Sequence, residues 1–344
     1  MEPHILELPR RVSVGKGVLD TMGQDFRSLG ITGSPLVLAD STTFRVAGKR
    51  VMSALSGFSP ARENVSDSTV EEAERIQKAA GNFSCLVSVG GGKIIDVGKV
   101  AAFRLGIPFI SVPTAPSHDG ISSERASLTG KEGKASVRAR PPLAVIADIG
   151  VLMAAPKKLI ASGAADALSN LTSVQDWKIA RDVKGEYYSD YAAYLAKSSA
   201  RMILRSAVMI GRVEERGIRD LMEALLTSSI SMSLAGSSRP ASGAEHAFSH
   251  ALDSMGSESL HGEQCGVGAI MASYLQGRDW ELIRDTLKEV GAPTTAKDLG
   301  VSDDMAVSAL VRAVTLRDRY TILNRRSVDQ ALATEAARAT GVIS

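Results

Sequence analysis

The chain has 344 residues, 44% of them hydrophobic and 23% charged, with 40 basic against 38 acidic side chains and a net charge of +2. That length is more than one hydrophobic core usually spans and predicts about two domains. The balanced charge and an aromatic content of 4% exclude a basic, base-stacking surface, so no nucleic-acid partner is expected.

Cys85 and Cys265 are the only cysteines, too few for a disulfide framework or a Cys-x-x-Cys zinc knuckle. Cys85 lies in an apolar run and reads as inert core; Cys265 lies near the histidines but has no base paired with it in the sequence. No run approaches the roughly 18 apolar residues of a membrane span, and the start MEPHILELPRRVSVG lacks the apolar core of a signal peptide. A cytoplasmic protein without stable membrane insertion is expected.

In chain order, residues 4–14 alternate apolar and polar up to Gly15, which suits an edge strand. Ser34 to Asp40 is a short apolar run closing on an acid, and 42–56 has helical periodicity. A second unit follows, in which Asn64–Val70 leads into a helix over Val70–Ala80. Ser66 and Ser68 are its capping candidates, with Glu71 and Glu72 in the first turn.

The next strand, Cys85–Val89, runs into Gly90-Gly91-Gly92-Lys93-Ile94-Ile95-Asp96, then a helix over Val97–Leu105, then the strand Pro108–Val112 and Pro113-Thr114-Ala115-Pro116-Ser117. Strand, turn, helix and strand in alternation predict parallel βαβ units. Glycines between a strand and a helix make either a tight turn or a phosphate cradle built from backbone N–H groups. The run matches neither GxGxxG nor GxxxxGK[ST]. Asp40, ending the earlier strand, is equally suited to accept from a ribose hydroxyl or to cap the helix after it.

Residues 124–130 and 135–147 read as further strands, with Lys131-Glu-Gly-Lys connecting them and Ala144–Asp148 as a last buried strand. From Lys157 onward only helical patterns occur: 157–180, 188–213, 217–234, 240–252, 262–275, 279–290, 302–315 and 327–340. The predicted domains are therefore an α/β domain over 1–155 and an all-helical domain over 156–344. Three of the five histidines fall within residues 241–266. His246 and His250, four apart, share a helix face, and His261 opens the following helix, so the imidazoles can be aimed at one point. Imidazole is a common ligand of zinc and related divalent ions, but the spacing alone leaves a metal and a merely solvated histidine pair both open.

The segments GGGKIIDVGK (90–99), PTAPSHDGISS (113–123), SGAADALSN (162–170), GAEHAFSH (243–250) and LHGEQCGVG (260–268) resemble, in this order, the sn-glycerol-1-phosphate dehydrogenase family. That family lies within the superfamily of iron-containing alcohol dehydrogenases, glycerol dehydrogenase and dehydroquinate synthase. The resemblance, which runs from about residue 8 to about 340, implies an N-terminal Rossmann-like α/β domain followed by an all-α C-terminal domain, of dehydroquinate-synthase-like fold, with the active site in the cleft between them. It implies a divalent metal held by Asp166, His246 and His261, zinc before iron or nickel. Asp166 is implied also as a catalytic residue through that metal, His250 as a proton relay and Asp119 as a substrate contact.

The same resemblance implies that NAD(P)H is bound by Gly91, Gly92, Lys93, Ile94, Ile95 and Asp96, and further by Thr114, Ala115, Pro116, Ser117 and Ser123, with Asp40 beside the ribose. His118 is read as a structural turn residue. The implied reaction is reversible, metal-assisted reduction of dihydroxyacetone phosphate to sn-glycerol 1-phosphate, which supplies the backbone of archaeal-type membrane lipids. Glycerol dehydrogenase on unphosphorylated glycerol and a dehydroquinate-synthase-like lyase are the alternatives. Asp40 disfavours a 2′-phosphate by charge, whereas Arg45, Lys49 and Arg50 could accommodate one, so both NADH and NADPH stay open. A homo-oligomer is expected.

Overall fold

The computed structural model describes residues 6–130, 133–316 and 318–344, and the chain divides into two compact units, Met1–Pro156 and Lys157–Ser344. The first is α/β. Its strands are β1 (Arg11–Gly15), β2 (Pro35–Ala39), β3 (Ala61–Asn64), β4 (Cys85–Gly90), β5 (Phe109–Pro113), β6 (Arg125–Gly130), β7 (Gly133–Arg138) and β8 (Ala144–Asp148). Its helices are α1 (Met22–Ser28), α2 (Ser41–Thr43), α3 (Lys49–Ala54), α4 (Val70–Ala79), α5 (Gly92–Leu105) and α6 (Ile149–Met153).

Six strands form one parallel sheet in the order β1-β8-β5-β4-β2-β3, while β6 and β7 form a separate antiparallel hairpin. The four inner strands are buried along their whole length, which explains why PLVLA, CLVSVG, FISVP and AVIAD are near-continuous apolar runs and not alternating ones. Val37, Val87, Ile110 and Ile146 from these strands pack with Phe26, Met22 and Leu55 in one core.

The strand order places a topological switch between β2 and β4, because the chain leaves β2 for β3 on one side and returns to β4 on the other. Ligands of open α/β sheets bind at the carboxyl ends of the strands flanking such a point. Those ends carry Asp40 and the Gly90–Gly92 run.

Two expectations for this unit are corrected, and one strand is new. Helix α4 is capped by Thr69, whose Oγ1 accepts from Glu72 N at 3.1 Å, and not by Ser66 or Ser68. Ser66 N and Oγ both donate to Glu72 Oε1, and Ser68 Oγ donates to Ser127 O. Helix α5 begins at Gly92 and not at Val97, so the residues read as a loop form its first turn. β3 was not anticipated: Ala-Arg-Glu-Asn is a polar, half-exposed edge strand with no apolar alternation to reveal it. Lys131 and Glu132 lie outside the described residues.

The second unit is helical throughout its described residues: α7 (Lys157–Lys184), α8 (Asp190–Gly211), α9 (Glu215–Ala235), α10 (Ala244–Ser254), α11 (His261–Leu275), α12 (Trp280–Val290), α13 (Asp303–Arg312), α14 (Ile322–Arg325) and α15 (Gln330–Ala339). Helix α11 is buried on nearly every side, and its glycines explain how. A Cβ on Gly262 would stand 2.0 Å from Ser162 O of α7, one on Gly266 3.0 Å from Ala165 Cβ, and one on Gly268 3.0 Å from Glu245 Cα of α10. Each glycine costs about 1 kcal/mol of helix propensity, which is offset by letting α7, α10 and α11 approach backbone to backbone.

Candidate metal centre and nucleotide turn

In the first unit, Gly91 is the extended N-cap of α5 and offers no capping side chain. The N–H groups of Gly92 and Lys93 precede the first intrahelical bond and so point out of the helix end. Two of the three glycines leave room for neighbouring side chains: a Cβ on Gly90 would lie 2.4 Å from Ile94 Cδ1, and one on Gly92 2.1 Å from His118 Nε2, so either would force that side chain to move. His118 N-caps the turn Asp119–Ile121 by accepting from Gly120 N at 2.9 Å, so its turn role also closes one side of the glycine run.

Of the two readings offered for Asp40, the structure shows the helix cap. Its Oδ1 accepts from Thr43 N at 2.8 Å to cap α2, and Lys93 Nζ lies 3.5 Å from its Oδ2. Burial raises its pKa, but Thr43 and Lys93 together outweigh burial and hold the carboxyl below its ordinary value.

The other cofactor candidates also have contacts within the fold. Ile94 and Ile95 bury their side chains, and both N–H groups donate to Gly91 O. Asp96 Oδ2 accepts from Ser127 N at 2.9 Å, and its Oδ1 lies 3.5 Å from the fully buried Lys99 Nζ. Lys99 in turn donates to Gly120 O and Arg125 O, at 2.5 and 2.6 Å, tying the Asp119 turn and β6 to α5. Burial lowers the pKa of Lys99, against the pull of Asp96. Thr114 N donates to Gly90 O, and Thr114, Ala115, Pro116 and Ser117 are buried where β5 ends. Ser123 Oγ bonds Arg125 O. Asp40, Gly91, Gly92 and Lys93 thus form one cluster at the switch point.

In the second unit, Asp166 of α7, His246 of α10 and His261 at the start of α11 converge. Both His246 Nε2 and His261 Nε2 lie 3.8 Å from Asp166 Oδ1. Cys265, one turn along α11 from His261, joins them: the four ligand atoms lie within 4.8 Å of one another. His250 is half-buried one turn beyond His246, its ring centroid 6.2 Å from that of His261. It is not among the four converging groups.

Each converging imidazole has a partner on its far nitrogen. His246 Nδ1 lies 3.0 Å from Glu245 Oε1. Glu245 is wholly buried and accepts from Thr172 Oγ1, Ser173 Oγ and Gly243 N at 2.8, 2.7 and 2.5 Å. Burial would raise its pKa, but His246 and these donors bring it down to about 2, so it is a carboxylate. It therefore accepts the Nδ1 proton of His246 and leaves Nε2 directed at Asp166. Two nitrogen donors and a carboxylate oxygen, with an orienting second layer, fit a divalent transition metal.

Glu245 adds to this fit, since a carboxylate buried beside the histidines favours a cation among them. Burial pushes the Cys265 thiol up to about 11, and the Cys85 thiol in β4 up to about 12, so both rest as neutral thiols.

Reading the sequence missed Cys265 as a member of this cluster and Glu245 as its supporting carboxylate. The signal for Glu245 was its place just before His246. On α10 that position points into the α7 interface, while the histidine one residue on points to the α7–α11 seam.

Along the whole chain, 46% of residues are identical to a glycerol-1-phosphate dehydrogenase, NAD(P)+, of Pyrococcus horikoshii, with 99% of this chain and 100% of that one covered. The chain belongs to the glycerol-1-phosphate dehydrogenase family. The like-named protein of Methanosarcina mazei is also 46% identical, over 98% of this chain and 97% of its own. Residues 13–156 match the family of iron-containing alcohol dehydrogenases. Among solved structures, a probable glycerol dehydrogenase of Sinorhizobium meliloti superimposes with a TM-score of 0.81 at 21% identity, covering 98% of both chains. Glycerol dehydrogenase of Schizosaccharomyces pombe gives 0.81 at 20%, covering 99% of this chain and 91% of that one. At such identities these two speak to the fold alone. The glycerol-1-phosphate dehydrogenase family is thus met here on an α/β unit followed by a helical one.

Proposed function

We propose that the chain catalyses the reversible, NAD(P)H-dependent reduction of dihydroxyacetone phosphate to sn-glycerol 1-phosphate. Full-length likeness to glycerol-1-phosphate dehydrogenases supports the reaction. The observation that carries the metal reading is the convergence of Asp166, His246 and His261 from three separate helices, with both Nε2 atoms on one carboxylate oxygen.

Asp166, His246 and His261 would hold the metal, with zinc first and iron or nickel as the alternatives. Bound there, the metal supplies a Lewis acid that stabilises negative charge on the carbonyl oxygen as hydride arrives. The buried Glu245 carboxylate favours the cation there. His250 carries the proton to or from that oxygen, as an imidazole can do in both directions. Asp119 accepts from a substrate hydroxyl.

On the first unit, the Gly91–Lys93 helix end takes the cofactor's phosphates and Asp40 the adenosine ribose. Ile94, Ile95, Asp96 and Ser123 hold the turn in shape, and Thr114–Ser117 line its flank. The 1–155 and 156–344 divisions are thereby a dinucleotide-binding and a metal- and substrate-binding domain. Among the described residues no helix is long and apolar enough to cross a membrane. We place the protein in the cytoplasm as a homo-oligomer that makes the glycerophosphate backbone of archaeal-type lipids.

The test is loss of nicotinamide absorbance with purified protein, dihydroxyacetone phosphate and NADH or NADPH, before and after chelation. Oxidation that stops on chelation and returns with zinc supports the reading. Turnover of glycerol with NAD, and none with the phosphate ester, would replace it with glycerol dehydrogenase.

A further inference from the structure

His246 owes its orientation to a buried carboxylate, whereas the far nitrogen of His261 faces a hydroxyl. Its Nδ1 lies 3.0 Å from Ser249 Oγ, one turn below His246's level on α10. Ser249 is fully buried and also sits 2.6 Å from Oε1 of the fully buried Gln264. The direction of every proton in this chain follows from its far end.

Gln264 Nε2 is surrounded by Asp253 Oδ1 at 3.2 Å, Ser259 O at 3.3 Å and Ser259 Oγ at 3.2 Å. A carboxylate and a carbonyl only accept, so the amide must present NH2 to them. Its Oε1 is then fixed toward Ser249. A carbonyl oxygen accepts, so Ser249 spends its single hydroxyl proton on Gln264. The Ser249 oxygen has only lone pairs left for His261, whose Nδ1 must carry the proton. In the neutral ring Nε2 is thereby the nitrogen that keeps its lone pair, on the side of Asp166.

We propose that Ser249 and Gln264 are positioning residues that hold His261 in the Nδ1–H tautomer, presetting Nε2 as a metal donor through a neutral relay anchored on Asp253. The proposal deepens the metal reading given above and rests on it for its purpose, but the tautomer itself exists without metal. The relay adds no charge next to His261. An acid at position 249 would orient the ring equally well but leave a further buried negative charge.

The test uses the full chain with 15N-labelled histidine, freed of metal, and reads the ring tautomer of His261 by NMR at neutral pH. Metal affinity is then measured by competition with a chelator. In the wild type, His261 shows the Nδ1–H form. In Ser249→Ala and in Gln264→Met it becomes a mixture or the Nε2–H form, and zinc affinity falls about 10- to 100-fold. A purely structural role would lower the melting temperature and leave the tautomer unchanged.

Nε2–H on His261 in the wild type overturns the proposal, whatever the variants do. So does an unchanged tautomer in both variants. A wild type with the Nδ1–H form that binds no zinc would uphold the relay and sink the metal reading, so the two failures are separable.

Discussion

Which nitrogen of an imidazole is free is decided by what faces the other one, and both converging histidines have that choice made for them. The consequence for His246 is measurable. Glu245→Gln keeps the shape but lets the amide present either an oxygen or an NH2 to His246, so metal affinity should fall about 10- to 100-fold with the fold retained; chelator competition reads it. His246→Ala should lose metal and activity together, with metal content by elemental analysis as the check. His250→Ala should keep full metal content and slow turnover by about 10²- to 10⁴-fold, the usual worth of a positioned acid–base group. Full metal occupancy in the His246 variant would remove it from the ligand set.

At the level of helices, close approach is purchased with glycine. Gly262→Ala puts a methyl group 2.0 Å from the Ser162 carbonyl oxygen, which cannot rotate away, so α11 must move off α7. The expected loss is about 1–3 kcal/mol or more of stability, accompanied by weaker metal binding because His261 is the adjacent residue.

In the first unit, helix α4 carries a pH signature. Arg75 and the Ser66 amide, outweighing burial, hold Glu72 at about 2 against an ordinary 4.5. A depressed carboxylate pKa stabilises the fold fully above pH 4.5 and loses that contribution as the pH falls toward 2. The stability gap between wild type and Glu72→Gln should therefore be greatest above pH 4.5, at about 1 kcal/mol given the half-exposed Arg75. It should close in acid. Thermal melts at neutral and acid pH would show it, and a gap that widened in acid would refute the assignment.

Much of this element structure was legible in the sequence. The inner strands are unbroken apolar runs, and α8 and α9 of the second unit keep a helical period. β3 was not legible, since an edge strand of Ala-Arg-Glu-Asn buries too little to imprint a pattern. The cap of α4 was misread because Ser66, Ser68 and Thr69 are equally competent chemically and only the backbone path selects among them. In the site, the histidines announced themselves by spacing. Asp166 did not, because one carboxylate among 38 acidic residues has no local mark; it entered through resemblance alone.

For the molecule as a whole, the proposed metal ligands Asp166, His246 and His261 all come from helices of the second unit. Removing the metal should lower the stability of that unit by the free energy of binding, about 2.7 kcal/mol when the ion stands at a hundredfold excess over its Kd. The first unit should melt unchanged. Calorimetry with and without chelator would separate the two, and equal shifts in both transitions would contradict the placement.

The seating of β1 has a consequence for biosynthesis. Arg11–Gly15 pairs with Ala144–Asp148 and with no other strand of the sheet, register by register. A nascent chain therefore leaves β1 without its partner until Ala144–Asp148 has been made, and the sheet pairing of longest sequence separation is the one that seals the unit. Ribosome-bound chains arrested before residue 144 should be cut by protease near β1, and chains released just past 148 should resist.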